Sequence, residues 1–440
     1  MKIRRLIAKR WRESSSVKAV TALTGSSMAI MAVGVVGSFI QSWFVSPDDL
    51  GYFRQFSIIS GYLFFLHLGV FHALERSYPY YIGRNEKERA VALAAVGQTW
   101  ILAVTVPIAL AFGVLAYVSF FAGNWKSGLG WLSQVVLNTS ALYGGYLGTI
   151  YRSGHDFQKY AKAQMWSVPA VVLTLPVFWI QPYLALVLKN TVGSLTTLWQ
   201  LHRYRPIKVG IRVNLKEFRE LICQGLPRFS ASYMTTTGVD TLTATIVLCR
   251  LDRVSLGYWS FACMAITLAY QLPQAMTAVY IPRVAELYGK TGSVQECVKL
   301  WSKPLAYGGA ILVVIVACGM LATYYLLPVI LPKYAAARGI ICLLLLGLPF
   351  KMLDALASVL SMIDWMLILN VRAVISVIFQ IGCAVLGLMH GWGLYGVALG
   401  VLFAGVIRAL IIGGTLTYAC ILERRTNSAL NNGKNQNVST

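Results

Sequence analysis

The chain has 440 residues, of which 57% are hydrophobic and only 12% charged. Soluble proteins carry roughly 25% charged residues, so the shortage excludes a large soluble helical protein, whose surface helices would need polar stripes. The net charge of +22 does not point to nucleic acid, because the basic residues lie in short loops between apolar runs; there they act as topology signals and as contacts to anionic lipid head groups.

Residues 1–18 are basic, with Lys2, Arg4, Arg5, Lys9, Arg10, Arg12 and Lys18. The apolar run from about 19 to 45 is too long for the hydrophobic region of a signal peptide and lacks a small-residue cleavage site. It therefore reads as an uncleaved first transmembrane helix. Further spans are expected at 52–75, 90–121, 129–151, 159–180 and 183–202. Residues 203–222 interrupt the series. There Leu215, Phe218, Leu221 and Ile222 interleave with Lys216 and Arg219, the pattern of a short amphipathic helix at the inner surface. Six more spans follow at 223–249, 255–281, 301–327, 335–360, 366–389 and 392–421, and 422–440 reads as a disordered cytoplasmic tail. The spans approach or exceed the roughly 20 residues that cross a hydrocarbon core of about 30 Å. The expected fold class is an all-α integral membrane protein of about twelve transmembrane helices. One six-helix bundle covers 19–202 and a second covers 223–421.

The loops alternate in charge. Those on the side of the N-terminus hold Arg76, Arg84, Lys87 and Arg89, then Arg152, Lys159 and Lys162, then the basic connector, then Arg283, Lys290, Lys299 and Lys303, and Arg424, Arg425 and Lys434 in the tail. The opposite loops hold only Lys126, Arg250, Arg253, Lys333 and Arg338. This bias puts both termini in the cytoplasm of a protein of the cell inner (plasma) membrane. An odd number of spans would scramble the alternation. The eight cysteines show neither a CxxC pair nor a zinc spacing, and most lie in apolar runs, so neither a disulfide nor a metal site is expected. Trp43, Tyr52, Trp125, Trp131, Trp179, Trp259 and Trp392 fall near span ends, where an aromatic belt belongs.

Leu50-Gly51-Tyr52 opens the second span and Leu256-Gly257-Tyr258 opens the eighth. Each is followed by an apolar helix, a proline and a basic, glycine-containing loop, Pro79 to Gly83 and Pro282 to Gly289. Equivalent positions in two six-helix halves make these parallel repeats, related by an axis along the membrane normal. The segment from Leu50-Gly51-Tyr52 through Pro79, with the two-halves layout, resembles the polysaccharide flippases of the multidrug/oligosaccharidyl-lipid/polysaccharide exporter superfamily, above all the Wzx-type O-antigen flippases. That resemblance is architectural and covers essentially the whole chain. It implies two halves around a central cavity and an undecaprenyl-pyrophosphate-linked oligosaccharide as substrate.

Basic residues also lie inside the spans: Arg54, Lys189, Lys351, Arg372 and Arg408. Each costs roughly 2.5–3.5 kcal/mol near mid-bilayer unless it meets water or a partner. A pyrophosphate head favours such cations, so Arg54, Lys189, Lys351 and Arg408 are the candidate substrate-binding residues. Arg54 and Lys189 also lie within snorkelling reach of the outer surface, and Arg372 within reach of the inner one. The acidic candidates are Asp240 and Asp354. Asp240 stands in the polar run Thr235 to Thr241 and suits a proton or sodium site; its structural alternative is a pair with Arg408 or Lys351. Lys351 and Asp354, three apart, would face each other on one helix. His67 and His72 lead into Glu75-Arg76, a candidate gate or clamp at the inner surface. Gly144-Gly145 and Gly148, and Gly396 and Gly400, would let helices pack closely.

The expected function is a flippase, not an enzyme. It would carry a lipid-linked oligosaccharide repeat unit across the inner membrane by alternating access, for O-antigen, capsule or exopolysaccharide assembly. No catalytic residue and no cofactor is expected beyond coupling to a proton or sodium gradient. Membrane lipids and other polysaccharide-assembly proteins would be its partners, and nucleic acid would not. A polymerase or ligase would place catalytic residues on a large outer loop, and here the outer loops are short. A multidrug cation antiporter of the same superfamily would use intramembrane carboxylates, which are outnumbered here by cations.

Overall fold

A computed structural model of the protein describes residues 33–154, 156–362 and 365–437. The basic segment 1–18 and most of the expected first span lie outside them. No strand occurs among the described residues. Every predicted span within the described residues coincides with a helix or an interrupted series of helices.

Contacts divide the chain between Ser230 and Ala231. In the first unit, α1 (Val33–Phe44) and α2 (Pro47–Leu63) are followed by a 3-10 turn (Phe64–His67) and α3 (Val70–Gly83). Next come α4 (Lys87–Phe121), α5 (Trp125–Thr139), a π-helical turn (Ser140–Gly144) and α6 (Gly145–Ser153). Then α7 (Phe157–Met165), α8 (Ser167–Thr174) and a 3-10 turn (Leu175–Trp179) make one interrupted rod, and α9 (Pro182–Arg203) completes the series. Its core gathers Leu74, Leu93, Ile101, Leu142, Tyr146 and Tyr151. The two tyrosine hydroxyls donate to the carbonyls of Ala94 and Leu201, at 2.9 and 3.2 Å, so neither is left unsatisfied away from water. After an irregular stretch, α10 (Leu215–Thr235) packs its first half on this unit. Trp100 meets Phe218, Tyr81 Oη donates to Glu220, and Ser77 Oγ donates to Gln224. The division thus falls inside a helix, beyond the amphipathic connector 203–222.

In the second unit, α11 (Thr237–Arg250) follows a break at Thr236. It is succeeded by α12 (Arg253–Thr291), α13 (Val294–Tyr325), α14 (Leu327–Ile330) and a rod broken at Gly347 and Asp354 into α15 (Arg338–Leu346), α16 (Leu348–Leu353) and α17 (Ala357–Met362). Then come α18 (Met366–Met389) and α19 (Leu394–Asn437). Helices α18 and α19 approach backbone to backbone: a Cβ on Gly396 would fall 2.6 Å from Gly387 Cα. Such contacts of small residues hold helices together where lipid gives apolar side chains no reason to leave it.

The repeated tripeptide occupies matching places. Ser46 caps α2, its hydroxyl accepting from Asp49 N–H, and Asp252 caps α12, accepting from Ser255 N–H. In both helices Leu, Gly and Tyr are the fourth to sixth residues after the cap. Leu50 and Leu256 are buried, and Tyr52 and Tyr258 each meet a buried tyrosine, Tyr183 and Tyr334. Among the described residues, six helical runs are long and apolar enough to cross a membrane. Their outer faces are apolar too: Leu110, Val114, Tyr117, Val118 and Phe121 on α4 are all exposed. A continuous bare apolar face of that kind is at home in lipid and a hazard in water.

Candidate functional site

The four predicted cations divide between the units. In the first unit Lys189 stands two turns into α9. Its stem passes Gly37 of α1, where an added Cβ would sit 3.3 Å from Lys189 Cε. Its ammonium donates to Gln41 Oε1 at 2.8 Å and approaches Ser38 Oγ at 3.5 Å. It borders a cavity of about 480 Å³ lined also by Asn190, Gly193, Ser194, Thr197 and Ser140. The cavity exists because α9 presents short residues at helical spacing, 190, 193, 194 and 197, opposite the π-helical turn Ser140–Gly144. Such turns widen a helix by one residue and are frequent at functional sites. Among the described residues that line the cavity, Lys189 carries the only formal charge. Arg54 lies exposed on α2, away from that lining, and Ser57 Oγ donates to its carbonyl. In the middle of α3, Glu75 and Arg76 are exposed, and Glu75 pairs with Arg152 of α6 at 2.6 Å, so the helix does not end at the expected gate but runs on to Gly83.

The second unit arranges charge differently. Buried residues of α18 recur as Leu369, Arg372, Ala373, Ser376 and Gln380, one face of a helix. Arg372 Nη1 donates to Asp354 Oδ1 at 2.9 Å. Arg408 of α19 sets Nε 3.4 Å from Asp354 Oδ2 and donates through Nη1 to Ser376 Oγ at 3.2 Å. Both arginines are 7% exposed. The Nε of each lacks a well-aligned hydrogen bond among the described residues, so the approach of Arg408 Nε to Asp354 is electrostatic rather than a directed bond. One carboxylate against two guanidiniums leaves a buried excess of one positive charge. One turn further along the stripe, Gln380 Nε2 donates to Thr243 Oγ1 of α11 at 2.9 Å.

Two expectations change here. Asp354 does not pair with Lys351, because the helix breaks into a 3-10 turn at Asp354–Leu356 and turns the carboxylate to α18 and α19. Lys351 is exposed, with its ammonium 4.7 Å from the Tyr270 ring centre. Arg372 does not snorkel; it points into the bundle. Asp240 is exposed in the first turn of α11, and the carboxylate beside Arg408 is that of Asp354. Sequence reasoning missed Gln41, Ser38 and the polar face of α9. The signal was available in Asn190, Gly193, Ser194 and Thr197, too polar and too regular for a lipid-facing helix.

No protein-family model matches the sequence, and no curated protein sequence matches it. Solved structures do. An inward-facing multidrug resistance MATE family transporter of the MOP superfamily aligns over 94% of this chain and 99% of its own, with a TM-score of 0.70 at 13% identity. The fold is that of the MOP transporters. The lipid II flippase MurJ, in an inward closed conformation, aligns over 90% of this chain and 87% of its own, with a TM-score of 0.65 at 14% identity. A MOP superfamily transporter from Pyrococcus furiosus, described as having a binding pocket of reverse polarity, aligns over 94% and 96%, with a TM-score of 0.58 at 16% identity. Over its described residues the chain is all-helical, shares the fold of these transporters and has six helical runs long and apolar enough to cross a membrane.

Proposed function

We propose that this protein is a flippase that moves a lipid-linked oligosaccharide with a pyrophosphate head across the inner membrane by alternating access, in the manner of the Wzx-type proteins of O-antigen, capsule or exopolysaccharide assembly. The observation that carries the reading is the sign of the membrane-embedded charge. Lys189 borders a polar cavity with no carboxylate in its described lining, and Arg372 and Arg408 outnumber Asp354. A multidrug cation exporter needs the opposite sign. The fold is shared with a lipid II flippase and with multidrug transporters alike, so it accommodates this reading and the sign of the charge chooses between them.

Lys189 suits the first capture of a phosphate. Its present partners are neutral, and an anion can displace an amide oxygen without stranding a buried charge. The glycan would be met by Asn190, Ser194 and Thr197, whose amide and hydroxyl groups suit sugar hydroxyls. The lipid chain needs no site, because it stays in the bilayer. The test is translocation in proteoliposomes holding the full chain, with a polyprenyl-pyrophosphate oligosaccharide in one arm and a fluorescent organic cation in the other. The reading expects movement of the first and not the second. The reverse pattern would return the protein to the antiporter class.

A further inference from the structure

A buried guanidinium needs a counter-charge, and it needs acceptors for the N–H groups on Nε, Nη1 and Nη2. The joint at Asp354 falls short of both. Arg372 of α18 spends Nη1 on Asp354 Oδ1 at 2.9 Å, and Arg408 of α19 spends Nη1 on Ser376 Oγ at 3.2 Å. The Nε of each is buried without a hydrogen bond among the described residues. Neither Nη2 has one there. Charge is short in the same way. Among the described residues, Asp354 is the only carboxylate in ion-pair reach of either guanidinium. The next charged residue of the broken rod is Lys351, a further cation, whose ammonium lies over the Tyr270 ring.

An arginine cannot escape this excess by losing a proton, because its guanidinium stays charged. Water can take up the spare donors, but it leaves the net charge in place. A net charge enclosed among apolar helices is costly.

We propose that this joint is a binding site for a small monovalent anion such as chloride, held by the spare N–H groups of Arg372 and Arg408. One negative charge balances the joint, since two guanidiniums then face one carboxylate and one anion. Both arginines are 7% exposed, so the site suits a bare ion and excludes the bulky head of a lipid-linked sugar. Room for the ion lies beside Arg408. Gly405 stands three residues earlier on the same face of α19. A Cβ built there would be 3.7 Å from Phe350 Cβ and 4.0 Å from Arg408 Nη2, ordinary contact distances, so the glycine leaves that side of Nη2 uncrowded. Binding makes no covalent bond and moves no proton. The ion completes the junction of α18 and α19 with the rod, and the stability of the second unit therefore depends on chloride. Lys189 belongs to the first unit and takes no part.

The test uses the full chain in detergent. Thermal melting is followed at constant ionic strength while chloride replaces gluconate, an anion too large for the joint. The proposal expects a saturable rise in the melting temperature of roughly 2 °C or more, as a ligand of the folded state produces. Bromide should act as chloride does. Anomalous diffraction from crystals grown in bromide should place an ion against the Arg372 and Arg408 guanidiniums. Arg372→Met leaves Asp354 and Arg408 as a neutral pair and should abolish the chloride dependence. Should that variant fail to fold, melting and diffraction of the unaltered protein still decide. Equal melting in chloride and gluconate, no bromide at the two guanidiniums, or a chloride dependence that survives in Arg372→Met overturns the proposal. A bromide peak there without any effect on melting is binding at crystal concentration only, and it overturns the proposal as well.

Discussion

Lys189 in the first unit and Arg408 in the second are both cations within apolar helices, yet they are held by different chemistry. Lys189 is solvated by an amide oxygen and a hydroxyl beside a cavity. Arg408 lies against a carboxylate that it shares with Arg372, and a serine hydroxyl accepts a hydrogen bond from its Nη1. Neutral partners can be exchanged for an anion at small cost. A carboxylate cannot leave two buried guanidiniums without a large penalty. The comparison teaches that embedded positive charge has two uses here: one unit offers it, and the other spends it on joining α18 and α19 to the broken rod at Asp354.

Removing charge in turn sharpens that contrast most. Asp354→Ala strips the shared counter-charge and should destabilise the fold by about 3–5 kcal/mol, the usual cost of orphaning a buried charge. Lys189→Met should change stability by less than about 1 kcal/mol, since the cation it removes has no ionic partner to strand. Thermal melting of the two purified variants in one detergent measures both. Equal losses would erase the distinction.

The next effect concerns how tightly the first unit holds α10. Gly225→Ala drives a methyl into the Gly69 backbone and should cost about 1–3 kcal/mol, the range for overpacking. Gly144→Ala is the control, because its Cβ would meet Leu198 Cδ1 at an ordinary 3.5 Å. Limited proteolysis within 204–214 reports release of α10. Similar cleavage in both variants would mean that the glycine contact does not hold the helix.

The smallest effect compares the two repeat starts. Ser46→Ala and Asp252→Ala should each cost about 1 kcal/mol, the usual worth of a helix cap. They should part with pH. The hydrogen bonds from Ser255 hold the Asp252 carboxyl below its ordinary range. Its contribution is therefore complete above the ordinary carboxylate range and disappears as pH falls through the lowered value. The Ser46 hydroxyl itself carries no titrating proton and touches a carboxylate only as a donor to Asp49 Oδ2 at 3.1 Å, so its contribution should change less over that range. Melting of each variant from pH 7 down to pH 3 separates them.

The spans were legible because each is a long apolar run between turn residues, and the tripeptide echo led to two helix starts with the same cap-to-tyrosine spacing. The partners of charged residues were not legible. Lys351 and Asp354 look like neighbours only if the helix is regular, and a 3-10 turn at Asp354 defeats that. Arg372 looks close enough to the inner surface to snorkel, but it shares a stripe with Ser376 and Gln380 that must face inward. Gln41 reaches Lys189 from nearly 150 residues away in sequence, and nothing local signals such a pairing. The left-handed pair Leu68-Gly69, between the turn Phe64–His67 and α3, left only a mid-span glycine as its trace.

Reversing charge at Lys189 tests the central claim most directly. Binding of a polyprenyl-pyrophosphate oligosaccharide to the full chain can be titrated by quenching of its native tryptophans, for the unaltered protein and for Lys189→Glu at matched folding. The account predicts that affinity falls at least tenfold in the variant, about 1.4 kcal/mol, with weaker salt dependence. Unchanged affinity and unchanged salt dependence would contradict it.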